Sequence, residues 1–278
     1  MNNCLFLFLL CITSPLFAAK TVTTDITPVL GYRQDTIKWT TAGGSSFQWK
    51  NLRFLDYALK GKTTLRDRYV INYDLGLANL LSGNFRDNGY LIPGGPASSN
   101  HFKGWGIGFR PDLGLGYKFK PNRRFSITPQ LGYAYDFLYI DNTRRTGPFS
   151  SIKNTIQWNG PWLGFNTTTQ LTRRASFKAN VAYHVAFYQE RGNWKMPHVT
   201  AKNKMRQHGT GQGVTGLIAF GYNVARTISL GIESDVQWTR VTNGRDTRRF
   251  AGDGTLKSRL NKVNWTSYTT NLTLTKTF

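Results

Sequence analysis

The sequence predicts an all-β fold, a transmembrane antiparallel up-and-down β-barrel of about ten strands with long extracellular loops and short periplasmic turns. Three observations indicate it: an alternating last strand that ends on Phe, an apolar N-terminal segment, and basic turns that recur at even spacing. Because a bilayer core offers backbone groups no water, a sheet that spans it must close on itself. Its side chains then alternate between lipid and lumen.

The last strand runs from Trp265 to Phe278 and has one apolar and one polar side. Tyr268, Leu272 and Leu274 share the first side with the terminal Phe, whereas the other side consists of Ser, Thr and Asn. A terminal Phe on such a strand is typical of outer-membrane barrels. We therefore expect the barrel-assembly machinery to be a partner, through this strand.

The N-terminus predicts export. Residues 5–17 are apolar and uncharged, and Ala18 and Ala19 supply small residues for signal peptidase. The apolar segment is too short to span a membrane as a helix. We expect a cleaved signal peptide over residues 1–19, a single barrel domain over residues 20–278, and a location in the outer membrane of a Gram-negative cell.

Cysteine usage and hydropathy exclude several classes. Cys4 and Cys11 are the only cysteines and both lie in the predicted signal peptide, which leaves no disulfide or cysteine metal site in the mature chain. The mean hydropathy of -0.39 is too polar for a helical membrane protein. No nucleotide-binding loop, zinc spacing or catalytic serine motif occurs. We expect no cofactor, no metal and no second domain.

The strand count follows from the turns. Short basic turns lie around Arg66, Asn122, Arg173 and Ala225, and each interval could hold two membrane-length strands and a longer loop. The Gly-, Ser- and Pro-rich segments between them are predicted loops: 40–46, 82–101, 141–155, 189–209 and 241–262. Four turns and five loops give ten strands with both termini in the periplasm.

The alternation also gives each strand a phase. In the segment 177–188, for example, Val181, Tyr183 and Val185 share one side, and Lys178 and His184 the other. The segments 69–81, 105–119, 125–139 and 228–239 alternate in the same way. A soluble β-sandwich is the alternative, but it would bury the aromatic sides in a core and would need neither an export signal nor a terminal Phe.

The phases place charged side chains of both signs in the lumen. Eight of the 14 acids point inward, with Arg33, Lys50 and Lys60 among the bases beside them. Unpaired charges in a narrow lumen would be costly, so we expect a polar network that fills the interior. Its predicted members are Asp74, Arg110, Asp112, Asp136, Lys178, His184, Glu233 and Asp235.

The formal net charge of +22 would suggest nucleic acid in a soluble protein, but here the surplus of Lys and Arg falls in predicted loops and turns. Clustered guanidinium groups suit phosphate, which lipopolysaccharide carries at the cell surface. A merely solvated loop surface is the alternative. The predicted anion- or lipopolysaccharide-binding residues are Arg144, Arg145, Lys202, Lys204, Arg206, Arg245, Arg248 and Arg249.

Several segments resemble known families. The stretches SFQWKNLRFLDYALKG, FGYNVARTISLGIESDVQWTRVTNGRDT and NWTSYTTNLTLTKTF resemble omptins, which are ten-stranded outer-membrane proteases. The combination of LSGNFRDNGY, GPWLGFN and YHVAFYQERGNW is more similar to the Protochlamydia-type outer membrane proteins, a non-protease relative whose named members are regarded as porins. The resemblance covers most of the mature chain.

The omptin resemblance implies four catalytic positions, and this chain matches only the first of them. Omptins use an aspartate pair in the second loop and an Asp-x-His in the fourth. Asp87 occupies the first position, but Gly89 stands at the second, and Asn193 and Lys195 fall near the other two. Gly and Lys cannot supply those acid and base roles at neutral pH.

The histidines leave one further alternative open. His101, His198 or His208 could meet Asp87 in a rebuilt hydrolytic pair, although solvated loop histidines explain them as well. His184 points inward, next to Tyr188 and within reach of Glu190, as a member of the lumen network. We expect Asp246 to pair with its neighbouring arginines.

The sequence thus predicts a non-enzymatic barrel, a monomer, whose lumen is largely filled and whose basic loops contact lipopolysaccharide or another anionic surface. A narrow anion-preferring porin is the alternative, and an omptin-like aspartate protease a third.

Overall fold

The computed structural model describes residues 22–91, 97–102, 104–142, 149–196, 203–250 and 254–278, and the regular structure in these ranges is β. The predicted signal peptide over residues 1–19 lies outside them. The strands are β1 (Val22–Thr41), β2 (Ser46–Leu65), β3 (Tyr69–Asn88), β4 (Ser98–Phe102), β5 (Trp105–Tyr117), β6 (Phe125–Asn142), β7 (Ser151–Gln170), β8 (Ala175–Lys195), β9 (Asn203–Ala225), β10 (Ile228–Phe250) and β11 (Gly254–Thr277).

The sheet closes into an antiparallel barrel, which confirms the predicted fold. Each barrel strand pairs with its neighbours in the chain, and β1 pairs with β11, from Asp25 opposite Thr277 to Thr41 opposite Leu260. Ten strands form the wall, because β4 is a short addition at the upper end of β3. The first and last strands meet at the end that carries the short turns, where the Thr24 amide donates to the Phe278 carbonyl.

The four short turns lie where the spacing predicts them. In the β2–β3 turn, Arg66 and Asp67 both have a positive φ, at 50° and 59°. Two successive residues in this conformation give the turn type whose twist matches paired antiparallel strands. The short turns and both chain ends define the periplasmic end of the barrel.

Most described residues of the predicted long extracellular loops belong to strands, so the prediction that these segments are loops is wrong. β8 continues to Lys195 and β9 begins at Asn203, so the segment 189–209 is largely paired. β10 continues to Phe250 and β11 begins at Gly254, so the described residues of the segment 241–262 are largely paired as well. The wall therefore extends beyond the membrane, into water. There its outer side is polar, and the apolar-outward pattern used to find the strands disappears.

The outward phases of the membrane part are those predicted. Leu131, Leu163 and Leu272 are each at least 60% exposed on the outer surface. They belong to a belt of exposed apolar and aromatic side chains that circles the barrel, which is the surface that lipid tails contact. Among the described residues, no helix is long and apolar enough to cross a membrane.

Above the belt the two sides of the wall exchange character. We call this part the outer extension; it comprises residues 34–54, 80–91, 98–102, 138–142, 149–158, 188–196, 203–213, 239–250 and 254–267. Most of its inward side chains are apolar and almost completely buried, and we call these apolar side chains the upper core. They include Ile37, Trp39, Phe47, Trp49, Phe54, Phe85, Tyr90, Phe102, Phe149, Ile152, Ile156, Trp158, Trp194, Val241, Leu260, Val263 and Trp265.

Candidate functional site

The membrane-level lumen holds a polar cavity of about 370 Å³, which we call the lower cavity. It extends from Asp25 and Lys62 near the periplasmic end to Asp136 and His184 beneath the upper core. All eight predicted members of the lumen network line it: Asp74, Arg110, Asp112, Asp136, Lys178, His184, Glu233 and Asp235. Within the described residues, no cluster of His, Cys, Asp and Glu could hold a metal ion.

The acids of the lower cavity are only partly paired. Lys60 contacts Glu233 and lies 3.8 Å from Asp74, and the Arg110 guanidinium lies 2.9 Å from the Asp56 carboxylate. The lining contains seven acids, namely Asp25, Asp56, Asp74, Asp112, Asp136, Glu233 and Asp235, against four bases, namely Lys60, Lys62, Lys178 and Arg110. The lining therefore carries more acidic than basic side chains.

A buried ion pair separates the lower cavity from the upper core. Arg33 donates two hydrogen bonds to Asp35, at 2.8 and 2.6 Å, and neither side chain is more than 2% exposed. The Arg33 guanidinium also lies 5.4 Å from the ring centres of Phe54 and Trp265. Cation–π contacts and a bidentate carboxylate together satisfy a charge that has no access to water.

Large aromatic side chains dominate the upper core. The ring centres of Trp39 and Phe47 are 5.5 Å apart, and those of Phe47 and Trp49 are 5.2 Å apart. Trp265 lies 5.6 Å from Trp158. The predicted network of charged groups therefore occupies only the lower lumen, and an apolar core occupies the upper part.

His184 lies in the lower cavity, apart from Tyr188 and Glu190. Its Nε2 atom is 3.1 Å from the Thr215 hydroxyl, and its ring lies near Trp162. The expectation that it approaches Tyr188 and Glu190 is wrong. Those two residues lie further along β8, within the outer extension.

A second polar network, which the sequence does not reveal, is embedded in the upper core. The Tyr188 hydroxyl accepts the Trp39 indole N–H and contacts both Glu190 and, at 2.8 Å, the side-chain oxygen of Gln207. Gln207 donates to the Tyr90 hydroxyl. The alternation of apolar and polar residues could not identify this network from the sequence, because its members lie in stretches where most residues on both sides of the strand are polar.

Tyr90 links the segment that follows β3 to β10. Arg248 donates to the Tyr90 carbonyl, and its guanidinium lies 4.6 Å from the centre of the Tyr90 ring. Arg248 also forms an ion pair with Asp246 at 3.0 Å, which confirms the expected partner of Asp246. The segment from Asp87 to Leu91 is thereby held against the inner side of the opposite wall.

Two of the positions that the omptin resemblance points to lie in one turn, and a third faces outward. One oxygen of Asp87 accepts hydrogen bonds from the backbone amides of Tyr90 and Leu91, both at 3.0 Å. Gly89 lies in this turn with a positive φ of 65°. Asn193 is exposed on the outer side of β8, opposite Lys204, so it points away from the barrel interior.

The three histidines of the predicted loops do not approach Asp87 where they are described. His101 lies 2.8 Å from the Asn84 side chain and is exposed. His208 is exposed on the outer side of β9, opposite Arg245. His198 lies outside the described residues.

Exposed cations cover the outer side of the outer extension on β8 to β11. We call this surface the basic wall, and its members are Arg191, Lys204, Arg206, Arg245, Arg249, Lys257 and Arg259. Three pairs of like charge lie directly across from each other: Arg191 and Arg206, Lys204 and Arg249, and Arg245 and Arg259. Within the described part of the chain, none of the seven forms an ion pair with a carboxylate.

Four of the eight predicted anion-binding residues belong to the basic wall: Lys204, Arg206, Arg245 and Arg249. The prediction for Arg248 is wrong, since it is 3% exposed and points inward. Arg144, Arg145 and Lys202 lie outside the described residues.

Lys50, expected inside the lumen, is exposed, because Asn51 with its positive φ of 52° and the adjacent shift in register change the phase of β2.

The sequence matches one family model, described as Protochlamydia outer membrane protein, over residues 28–278. The chain belongs to this family. A search of curated proteins finds no match. The family agrees with the resemblance noted from the residues, and it establishes the protein as an outer-membrane β-barrel.

Solved structures of outer-membrane barrels match the fold of this family member. The outer membrane protease OmpT from Escherichia coli matches with a TM-score of 0.71 and 13% identity, covering 94% of this chain and 98% of that one. OprG from Pseudomonas aeruginosa gives a TM-score of 0.39 at 11% identity, with 93% and 96% covered. A likeness at such low identity concerns the fold alone.

The Glu190 carboxyl makes the stability of the outer extension dependent on pH. The pKa of Glu190 is raised from 4.5 to about 8, mainly by burial and to a smaller extent by nearby Asp246, against the opposing effect of hydrogen bonds from Tyr188 and Asn154. Because the folded protein retains this proton and the unfolded chain does not, stability should fall as the pH rises from about 4.5 to about 8. Heat denaturation, followed by the shift in electrophoretic mobility of the barrel, measures it.

Three variants test whether Glu190 causes the pH dependence of stability. Glu190→Gln keeps a neutral side chain at the site and should flatten the slope of melting temperature against pH. Asp67→Asn removes an exposed carboxylate from the periplasmic β2–β3 turn and should leave the slope unchanged. An equal slope in wild type and Glu190→Gln would contradict the assignment. Burial also raises the pKa of Asp246, so a residual slope should shrink in Asp246→Asn.

Proposed function

We propose that this protein is a non-enzymatic outer-membrane barrel that binds the phosphate groups of lipopolysaccharide through the basic wall, and that its lumen does not conduct. One observation carries the proposal. Like charges that face each other on adjacent strands destabilise a sheet, and the basic wall contains three such pairs without a neutralising carboxylate. An external anion would remove that repulsion.

The position of the basic wall supports lipid as the source of the anion. Trp238 is exposed at the upper part of the apolar belt on β10, and Arg245 and Arg249 follow on the same outer side of that strand. Cations at this height would lie beside the headgroups of the outer leaflet. Guanidinium groups bind phosphate with two parallel hydrogen bonds, which suits this arrangement.

The upper core supports a lumen that does not conduct. Trp39, Trp49 and Trp265 are at most 1% exposed, and their side chains lie across the interior above the lower cavity. Protein interiors that are packed to this degree leave few voids as large as a water molecule. The lower cavity would then be a closed-ended pocket.

The geometry around Asp87 supports the absence of protease activity. Its carboxylate holds a turn by accepting two backbone amides, and Asn193 faces outward. Gly89 and Asn193 carry no titratable side chain, so they cannot serve as acid or base at the positions they occupy. The likeness to OmpT therefore extends to the barrel and not to a catalytic group.

Neutralising part of the basic wall should weaken lipopolysaccharide binding. In the triple variant Lys204→Gln, Arg206→Gln, Arg249→Gln, we expect retention on lipid A micelles to fall by roughly tenfold, because charge-assisted hydrogen bonds to phosphate are lost. Wild-type retention should also fall with rising salt, since exposed charges are screened. Equal retention of both proteins at every salt concentration would contradict the proposal. A variant with three turn arginines replaced, Arg173→Gln, Arg174→Gln, Arg226→Gln, is the matched control.

Planar-bilayer recording tests the lumen. Wild-type protein should give no discrete conductance steps, whereas Trp39→Ala with Trp265→Ala, which hollows the upper core, should give steps that select cations because acids predominate in the lower cavity. The second variant shows that the assay would detect an open lumen. Anion-selective steps from wild type would instead favour the narrow anion-preferring porin.

Peptide cleavage tests the protease alternative. Folded protein with lipopolysaccharide should leave a dibasic peptide intact. The informative variant is Asp87→Asn, because an amide oxygen can still accept the two backbone N–H groups while the acid is removed. Cleavage by wild type that disappears in Asp87→Asn, with the melting temperature unchanged, would show that a catalytic site exists.

A further inference from the structure

The periplasmic end of the barrel also carries a concentration of cations, which the function proposed above does not use. All four short turns and the end of β11 contribute to it, and we call it the periplasmic rim. Its members are Arg66, Arg68, Lys118, Lys120, Arg123, Arg124, Arg173, Arg174, Arg226 and Lys276. Asp67 is the single acidic residue in these connections.

The rim is scarcely neutralised within the protein. Its one ion pair in the described residues joins Lys120 to Asp67 at 3.8 Å, and both side chains are at least 50% exposed. Lys118 and Lys120, together with Lys178, also repel Lys62 at the entrance of the lower cavity. The exposed ion pair between Lys120 and Asp67 neutralises little of this charge and contributes little to stability. The positive potential of this end therefore remains available to an external anion.

Two members of the rim lie at the height where aromatic side chains mark the edge of the membrane. Lys276 occupies an outward position on β11, two residues after Leu274, and its ammonium lies 5.9 Å from the centre of the Phe278 ring. On the opposite part of the wall, Arg68 donates to the Tyr117 hydroxyl at 3.3 Å.

The aromatic neighbours of Arg68 face lipid. The Tyr117 ring lies 5.5 Å from that of Tyr69 and 4.8 Å from that of Phe119, and Tyr69 and Phe119 are at least 50% exposed. Aromatic side chains of this kind collect at the level of lipid headgroups, and long basic side chains reach the same level with their charged ends. The rim therefore points sideways into the headgroup layer as well as toward the periplasm.

We propose that the periplasmic rim binds the headgroups of anionic phospholipids in the leaflet that faces the periplasm. The four turns are spread around the barrel, so a ring of headgroups, rather than one docked molecule, matches the distribution of charge. Basic side chains beside a membrane surface are attracted to anionic lipids, and their contributions accumulate. A cell-wall polymer or a periplasmic protein would contact the turn tips but would not explain the cations at Tyr117 and Phe278.

Native mass spectrometry of the folded, full-length mature protein with phosphatidylglycerol and phosphatidylcholine tests this proposal. Wild type should retain more phosphatidylglycerol. The triple variant Arg173→Gln, Arg174→Gln, Arg226→Gln removes three exposed rim cations whose side chains make no described hydrogen bond, and it should retain roughly tenfold less. Equal retention of the two lipids by wild type, or of phosphatidylglycerol by variant and wild type, would overturn the proposal.

The basic-wall variant Lys204→Gln, Arg206→Gln, Arg249→Gln provides the matched control, because it loses the same number of charges at the other end. It should lose much less phosphatidylglycerol than the rim variant does, while the rim variant should keep its binding to lipopolysaccharide. The two proposals therefore fail independently.

If the rim variant lost co-sedimentation with cell-wall sacculi but kept phosphatidylglycerol, the partner would be the cell wall and the lipid proposal would be wrong. Unchanged heat modifiability of both variants confirms that they fold.

Discussion

The structure depends on one constraint, the absence of water for backbone groups in the membrane core. Every N–H and C=O group of a spanning strand must then pair with another strand, so β1 has to meet β11 and the sheet has no free edge. Closure in turn divides the side chains of each strand into an inner and an outer set. The chain controls the inner environment at every height, but the outer one changes from lipid to water where the strands leave the membrane.

That change of solvent accounts for the reversal of the interior. At membrane height apolar side chains face lipid, so polar side chains such as Asp74 and Glu233 line the lower cavity. In the outer extension polar side chains face water, and Trp39, Phe54 and Trp265 can be buried inside as in a soluble protein. The Arg33–Asp35 pair lies at the transition, with its polar atoms paired to each other and its flat guanidinium against aromatic rings.

The same reversal decides how much could be predicted from the sequence. Within the membrane the contrast between Val181 or Tyr183 and Lys178 or His184 gives the correct strand, phase and cavity lining. Beyond it, β8 continues as Gln189 to Lys195, where outward residues are polar and inward ones include Glu190 and Trp194, so no simple alternation remains. The prediction that Arg248 lies on the surface fails for a separate reason, which is a change in strand phase. A bulge next to Asn243, which has a positive φ of 61°, shifts the phase of β10 beyond the segment 228–239 whose alternation gave the prediction.

The distribution of charge argues for surface binding over anion permeation. A channel that used its net charge of +22 to select anions would place cations along the lumen, yet acids outnumber bases in the lower cavity. The surplus cations instead occupy the outer surface at two heights, the basic wall above the apolar belt and the periplasmic rim below it. Both heights are those of headgroups, where a phosphate can approach a guanidinium without crossing apolar side chains. The charge that looks anomalous in the composition is thus placed where a membrane with anionic headgroups on both sides would stabilise the barrel.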